Sequence, residues 1–165
     1  MPLLRSSRKS RRAPLLPEMA NGDVVADHEQ IVRALYEPLW SAERKRATSL
    51  AFTQVDVSVS RTAILPYASI VEIFKKDISA ASPVVATCVT SVAVVSTACA
   101  SSPEAGFTVA VVEDRVEASI VRSANPAHAE IRARSIADPQ VKVSLTRGMA
   151  NAILKSDNTE IRTVE

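Results

Sequence analysis

Between Asp77 and Glu104 this chain carries no charged side chain, and no other stretch restricts its fold as much. The segment Pro83 to Ala100 approaches the length of a bilayer span. Its composition argues against one. It lacks Leu, Ile, Phe, Trp and Tyr, and Ser and Thr recur every few residues. No aromatic belt flanks it. The stretch is therefore expected inside a protein core, and no membrane is expected as a partner. Val85, Val89, Val92 and Val95 would form a helical stripe, but β-branching and threonine content favour a strand over 84–99.

At 165 residues the chain suits one domain with one core. Its apolar share of 47% is globular, yet only 4% of residues are aromatic. Ala and Val dominate, so each large anchor counts: Leu35, Leu39, Trp40, Phe52, Phe74 and Phe107. With three glycines there is no Gly-rich phosphate loop, and a dinucleotide fold is excluded.

The net charge of +2 is unevenly spread. Arg5, Arg8, Lys9, Arg11 and Arg12 give the first 17 residues +5, which leaves −3 for the remainder. The expectation is a disordered basic extension over 1–22 and a mildly acidic domain over 23–165. Such a tail would touch nucleic acid only weakly. Arg11-Arg12 resembles a twin-arginine signal, but Ala13 to Asn21 lacks the apolar region export needs, so the cytoplasm is expected. Met19 to Gly22 would make a natural start, with an upstream extension before it.

Cys88 and Cys99 sit in apolar sequence without Cys-x-x-Cys spacing. They read as buried thiols in a reducing compartment. The sharper alternative pairs Cys88 with His128 as a nucleophile, which would need an electropositive pocket.

Asp27 and Gln30 form an apparent capping box ahead of Ile31, Val32, Leu35 and Leu39, predicting a helix that ends near Pro38. Val55 to Ser60 alternates strictly, a half-buried strand with Arg61 at its end. Pro66 opens a helix with Ile70, Val71, Phe74 and Ile78 on one face. Phe107–Val112 and Val116–Val121 read as strands joined by a turn at Asp114-Arg115, and Ala129–Ala133 as a short strand. Asp138-Pro139 predicts a helix start, with Val141, Leu145, Met149 and Ile153 following. Ile161 to Val164 reads as an edge strand. The expected fold is α+β: a small, mostly antiparallel sheet with about three helices packed on it.

The candidate chemistry centres on Asn125-Pro126-Ala127-His128-Ala129-Glu130-Ile131. His-x-Glu is half of a zinc-deaminase signature, but no cysteine follows His128 to complete the ligands. No metal or cofactor is expected. Arg33, Arg61 and His128 could together hold a phosphate or a carboxylate, with Ser58 and Ser60 on the polar face of the strand that delivers Arg61. The plainer reading makes the arginines surface charges and has His128 bond a loop carbonyl. Asn125 before proline is a standard turn starter whose side chain bonds its own backbone. His28 is expected exposed, and the isolated Trp40 to anchor the core or an interface.

The order of Ile31-Val32-Arg33, Thr48 to Phe52, Ser58-Val59-Ser60-Arg61 and Asn125 to Ala129 resembles a widespread group of small bacterial proteins. These share a Ser-Val-x-Arg strand and an Asn-Pro-x-His-Ala loop. The resemblance spans roughly residues 27–155. It implies a bacterial, cytoplasmic origin and one site joining the Arg61 and His128 regions. It implies no reaction. Two functions remain open. One is a non-catalytic accessory protein acting through a protein partner or as a homodimer, with 84–99 as an interface strand. The other is a small phosphate- or nucleotide-handling domain, ADP-ribosyltransferase-like. There Arg61 and Arg33 would hold a nucleotide-like ligand, Ser58, Ser60 and Asn125 would line the site, and His128 would be the acid/base.

Overall fold

A computed structural model describes residues 22–165 except Ser79. The expected basic extension, Gly22 apart, lies outside the described residues. Seven strands form one sheet in which all pairs are antiparallel, in the order β6-β7-β4-β1-β5-β9, with β8 beside β7. These are β1 (Gln30–Leu35), β4 (Val57–Arg61), β5 (Ala86–Ser91), β6 (Phe107–Glu113), β7 (His128–Ser135), β8 (Lys142–Val143) and β9 (Glu160–Thr163). A two-stranded hairpin, β2 (Trp40–Ser41) and β3 (Arg46–Ala47), stands apart. The helices are α1 (Tyr67–Asp77), α2 (Val92–Ala100) and α3 (Arg147–Lys155). The fold is α+β, as expected.

Alternation along each strand divides the side chains between two faces. Ile31, Leu35, Val57, Val59, Cys88 and Ile131 pack with Val95 of α2 and Met149 and Ile153 of α3. Val32 and Val89 turn the other way and meet Ile70 of α1. Leu35, Leu39 and Phe52 are fully buried, and Trp40, Phe74 and Phe107 are partly buried against these clusters. The few large anchors thus sit where a core of small residues needs them.

β1 corrects the predicted first helix. Its residues from Ile31 to Leu35 are all buried, because both sides of this central strand are covered. A strand buried on both faces shows a near-continuous apolar run, and such a run can mimic a helical stripe. The predicted strand over 84–99 is half right. Ala86–Ser91 is a strand, but the Ser91 hydroxyl accepts from Val94 N at 3.2 Å and caps α2. From there Val92, Val95 and Ala98 form a buried helical face. β5 is paired on both sides, with β1 and β9, so it cannot be a dimer-interface strand.

Two other boundaries move. Asp138-Pro139 makes a turn, with Val141 N donating to Asp138 O at 2.9 Å, and β8 follows. Helix α3 starts later, where the Thr146 hydroxyl caps Met149 N. Leu145, Met149 and Ile153 keep the predicted stripe, while Val141 falls outside it and is exposed. Val116–Val121 is no strand. Only Val116 pairs, in a bridge to Asn125, and the rest forms a loop. The predictions for β4, α1, β6, β7 and β9 agree with the structure to within a few residues.

Both cysteines are free thiols. Burial pushes the Cys88 thiol up to about 12 and that of Cys99 up to about 11. Cys88 faces the side of the sheet opposite His128, which removes the Cys88–His128 nucleophile. The thiolate is the reactive form. Both thiols should therefore react with a chromogenic disulfide reagent at pH 7.5 roughly a hundredfold more slowly in the folded chain than in denaturant. Equal rates in the two states would contradict this burial.

Candidate functional site

Pairing of β4 with β7 brings the two short motifs together. Ser60 lies between Val32 and His128, and Ser58 lies opposite Glu130. The Asn-Pro loop is stitched onto this strand. Asn125 Nδ2 donates to Ser60 Oγ at 3.0 Å, and Arg61 N donates to Ala127 O at 2.9 Å. Asn125 Oδ1 accepts from Ala127 N at 3.1 Å, the local turn expected of Asn before Pro. Asn125 and Ser60 are both buried, so these bonds satisfy groups that water does not reach.

The His128 ring is held by Asp114. Its Nδ1 lies 2.6 Å from Asp114 O and 3.1 Å from Asp114 Oδ2. A carbonyl only accepts, so Nδ1 carries a proton, and in the neutral ring Nε2 is then the acceptor. The bond to a backbone carbonyl is the plainer of the two expected roles. A cleft of about 210 Å³ opens beside it. Ser58, Asn125 and His128 line it from the sheet and the Asn-Pro loop, Phe74 and Asp77 from α1, and Arg122 from the 114–127 loop. The Asp77 carboxylate accepts from Ser123 N at 3.1 Å and from Ser123 Oγ at 2.9 Å, which ties that loop to α1. Among the described residues, the Arg122 guanidinium has no ion pair.

Arg61 does not reach this cleft. It follows Ser60 on the same strand and so points through the opposite face, where it pairs in register with Ile31. There Nε and Nη2 each donate at 2.7 Å to the two oxygens of Glu29, and Nη1 donates to Glu113. The Glu29 carboxyl is held below its usual range chiefly by the Arg61 hydrogen bond. The same bond draws the Arg61 pKa up. Arg33, predicted on a helix, is on β1. It donates to Ala51 O at 3.0 Å, Ser58 O at 3.1 Å and Gln54 Oε1 at 2.8 Å. It borders the cleft, but its guanidinium is spent on the chain that leads into β4. Burial lowers its pKa.

The structure therefore gathers Ser58, Asn125 and His128, sets Ser60 beneath them, and separates Arg61 from them. Sequence reasoning missed the acids that decide this. Glu113 and Asp114 are neighbours at the end of β6. Glu113 serves Arg61 and Asp114 serves His128, on opposite sides of the sheet. The usable signal was the alternation itself, because Arg61 shares its side of the strand with Val57 and Val59, not with the serines. Glu130 pairs with Arg132 at 2.8 Å. Among the described residues no group of three His, Cys, Asp or Glu side chains could hold a metal. No helix among them is long and apolar enough to cross a membrane.

Comparison with protein-family models, curated proteins and solved structures finds no match for this chain.

Proposed function

We propose that this protein works by binding rather than by catalysis, as a bacterial accessory protein that engages a protein partner. The observation that carries this reading is the separation of Arg61 from His128. A phosphate-handling enzyme of the expected kind needs both side chains on one reacting group. They leave opposite faces of one sheet, and each is engaged by its own acid. The cleft at His128 is also below the usual size of a small-molecule site. A surface feature supports a partner. Ile120 and Val121 are 104% and 81% exposed at the tip of the 114–127 loop. That loop is pinned by Ser119 N to Arg122 O at 3.0 Å and by the Asp77–Ser123 bonds, so the aliphatic pair is presented with little ordering left to do. The cytoplasm is the proposed compartment, and free Cys88 and Cys99 fit a reducing one.

The test is complementation of a deletion strain. His128→Asn is expected to restore the strain fully. Ile120→Asp with Val121→Asp is expected to fail, with an unchanged melting temperature. If His128→Asn folds normally and fails to complement, the binding reading is overturned in favour of chemistry at His128.

A further inference from the structure

A second cleft, away from His128, has a different character. It encloses about 420 Å³ between the β2–β3 hairpin and helix α3. Arg44 and Arg46 come from the hairpin, and Arg147 and Lys155 from the helix. No acidic residue lines it. Arg147, Asn151 and Lys155 recur every four residues, so they form one line along α3. The opposite face of that helix is fixed by buried Met149, Ala150 and Ile153, which aims the line at the hairpin.

The arginines that build this fold have acceptors. Arg33, Arg61 and Arg134 each bond a carbonyl or carboxylate. Arg44, Arg46, Arg147 and Lys155 have no ion pair among the described residues, and all four are exposed. Four unpaired cations around one concavity repel one another, and a bound anion relieves that repulsion. The concentration is notable because the chain after its first 17 residues sums to −3. Ser49 and Asn151 add neutral polar groups at the wall. Leu154 and Ile161 supply an apolar side, and no aromatic lines the cleft.

We propose that this cleft binds a small ligand carrying two or more phosphate groups, held between Arg44 and Arg46 on one side and Arg147 and Lys155 on the other. The volume suits a small molecule. Without an aromatic platform the cleft has no means to stack the bases of a single strand, so a small phosphate compound fits better than nucleic acid. This ligand is separate from the partner-binding loop and does not depend on how Ile120 and Val121 act.

The experiment is calorimetric titration of the full chain at about 150 mM salt, where weak surface attraction is screened. The probes are inorganic pyrophosphate and tripolyphosphate, with a single-stranded oligonucleotide as a separate arm. Saturable one-to-one binding of a polyphosphate is expected. Arg46→Glu and Arg147→Glu should each weaken it by about tenfold or more, as expected for losing a charged hydrogen bond. Arg44→Gln with Lys155→Gln is a gentler second set that keeps the test open if a charge reversal disturbs folding. Absence of saturation overturns the proposal. So does unchanged affinity in all variants, which would place the phosphate on the basic tail. Oligonucleotide binding that these substitutions abolish, with no polyphosphate binding, overturns it in favour of a nucleic-acid surface.

Discussion

Replacing Arg61 with methionine is expected to destabilise the chain by about 3–5 kcal/mol, the cost of removing one partner from a largely buried ion pair. Arg61, Glu29 and Glu113 have side chains only 10%, 13% and 20% exposed, so water cannot replace the lost guanidinium well. That loss is a large share of the 5–15 kcal/mol that holds a typical domain together. Urea unfolding at pH 7 measures it directly. A triple variant with Glu29→Gln and Glu113→Gln as well should recover a substantial part of the loss, because it removes the stranded charges together with their partner. A loss of less than about 1 kcal/mol in Arg61→Met would mean that the triad is a surface feature. The pH dependence carries a definite sign. The folded Glu29 pKa lies below its ordinary 4.5. Its contribution is therefore complete above pH 4.5 and is lost as pH falls through the folded value. In Arg61→Met this acid-side loss should shrink, and the gap between the two proteins should narrow toward pH 3.

Arg33→Met is expected to cost a similar amount, roughly 3–6 kcal/mol, from two charge-assisted bonds to carbonyls at 1.5–3 kcal/mol each. Ala51 O and Ser58 O would lose their donor, and Ala51 is fully buried. Methionine fits the stem of the side chain but brings no donor. The loss should appear in hydrogen exchange as faster opening of the 48–58 connection before the rest of the sheet. Arg33→Lys should recover little, since one ammonium cannot reproduce the fork that reaches three separate acceptors. Full stability in Arg33→Lys would refute this geometric role.

The pattern of legible and illegible features follows from what a side chain's neighbours in sequence can report. β4 was readable because a half-buried strand writes its two environments into alternate residues, Val57 and Val59 against Ser58. Helix α1 was readable for the same reason at helical spacing. β1 was not, because burial on both faces erases the alternation that marks a strand. The switch from β5 to α2 turned on one serine hydroxyl inside an otherwise uniform Val-rich run. The turn role of Asn125 was readable, since its bond to Ala127 N lies within its own loop.

The basic cleft along α3 shows the complementary case. Arg44 and Lys155 are far apart in the chain, and nothing local to either indicates that they line one cavity. The same holds for Arg61 and Glu29, separated by 32 residues. The amino-acid order alone determined the α+β class, the strands β4, β6, β7 and β9 and the attachment of His128 to a proline-fixed loop, because these depend on local periodicity and turn chemistry. Only the tertiary structure decided which acid neutralises Arg61, which face His128 occupies and where unpaired cations collect. Those depend on strand register and helix docking, where a shift of one residue sends a side chain through the opposite face of the sheet.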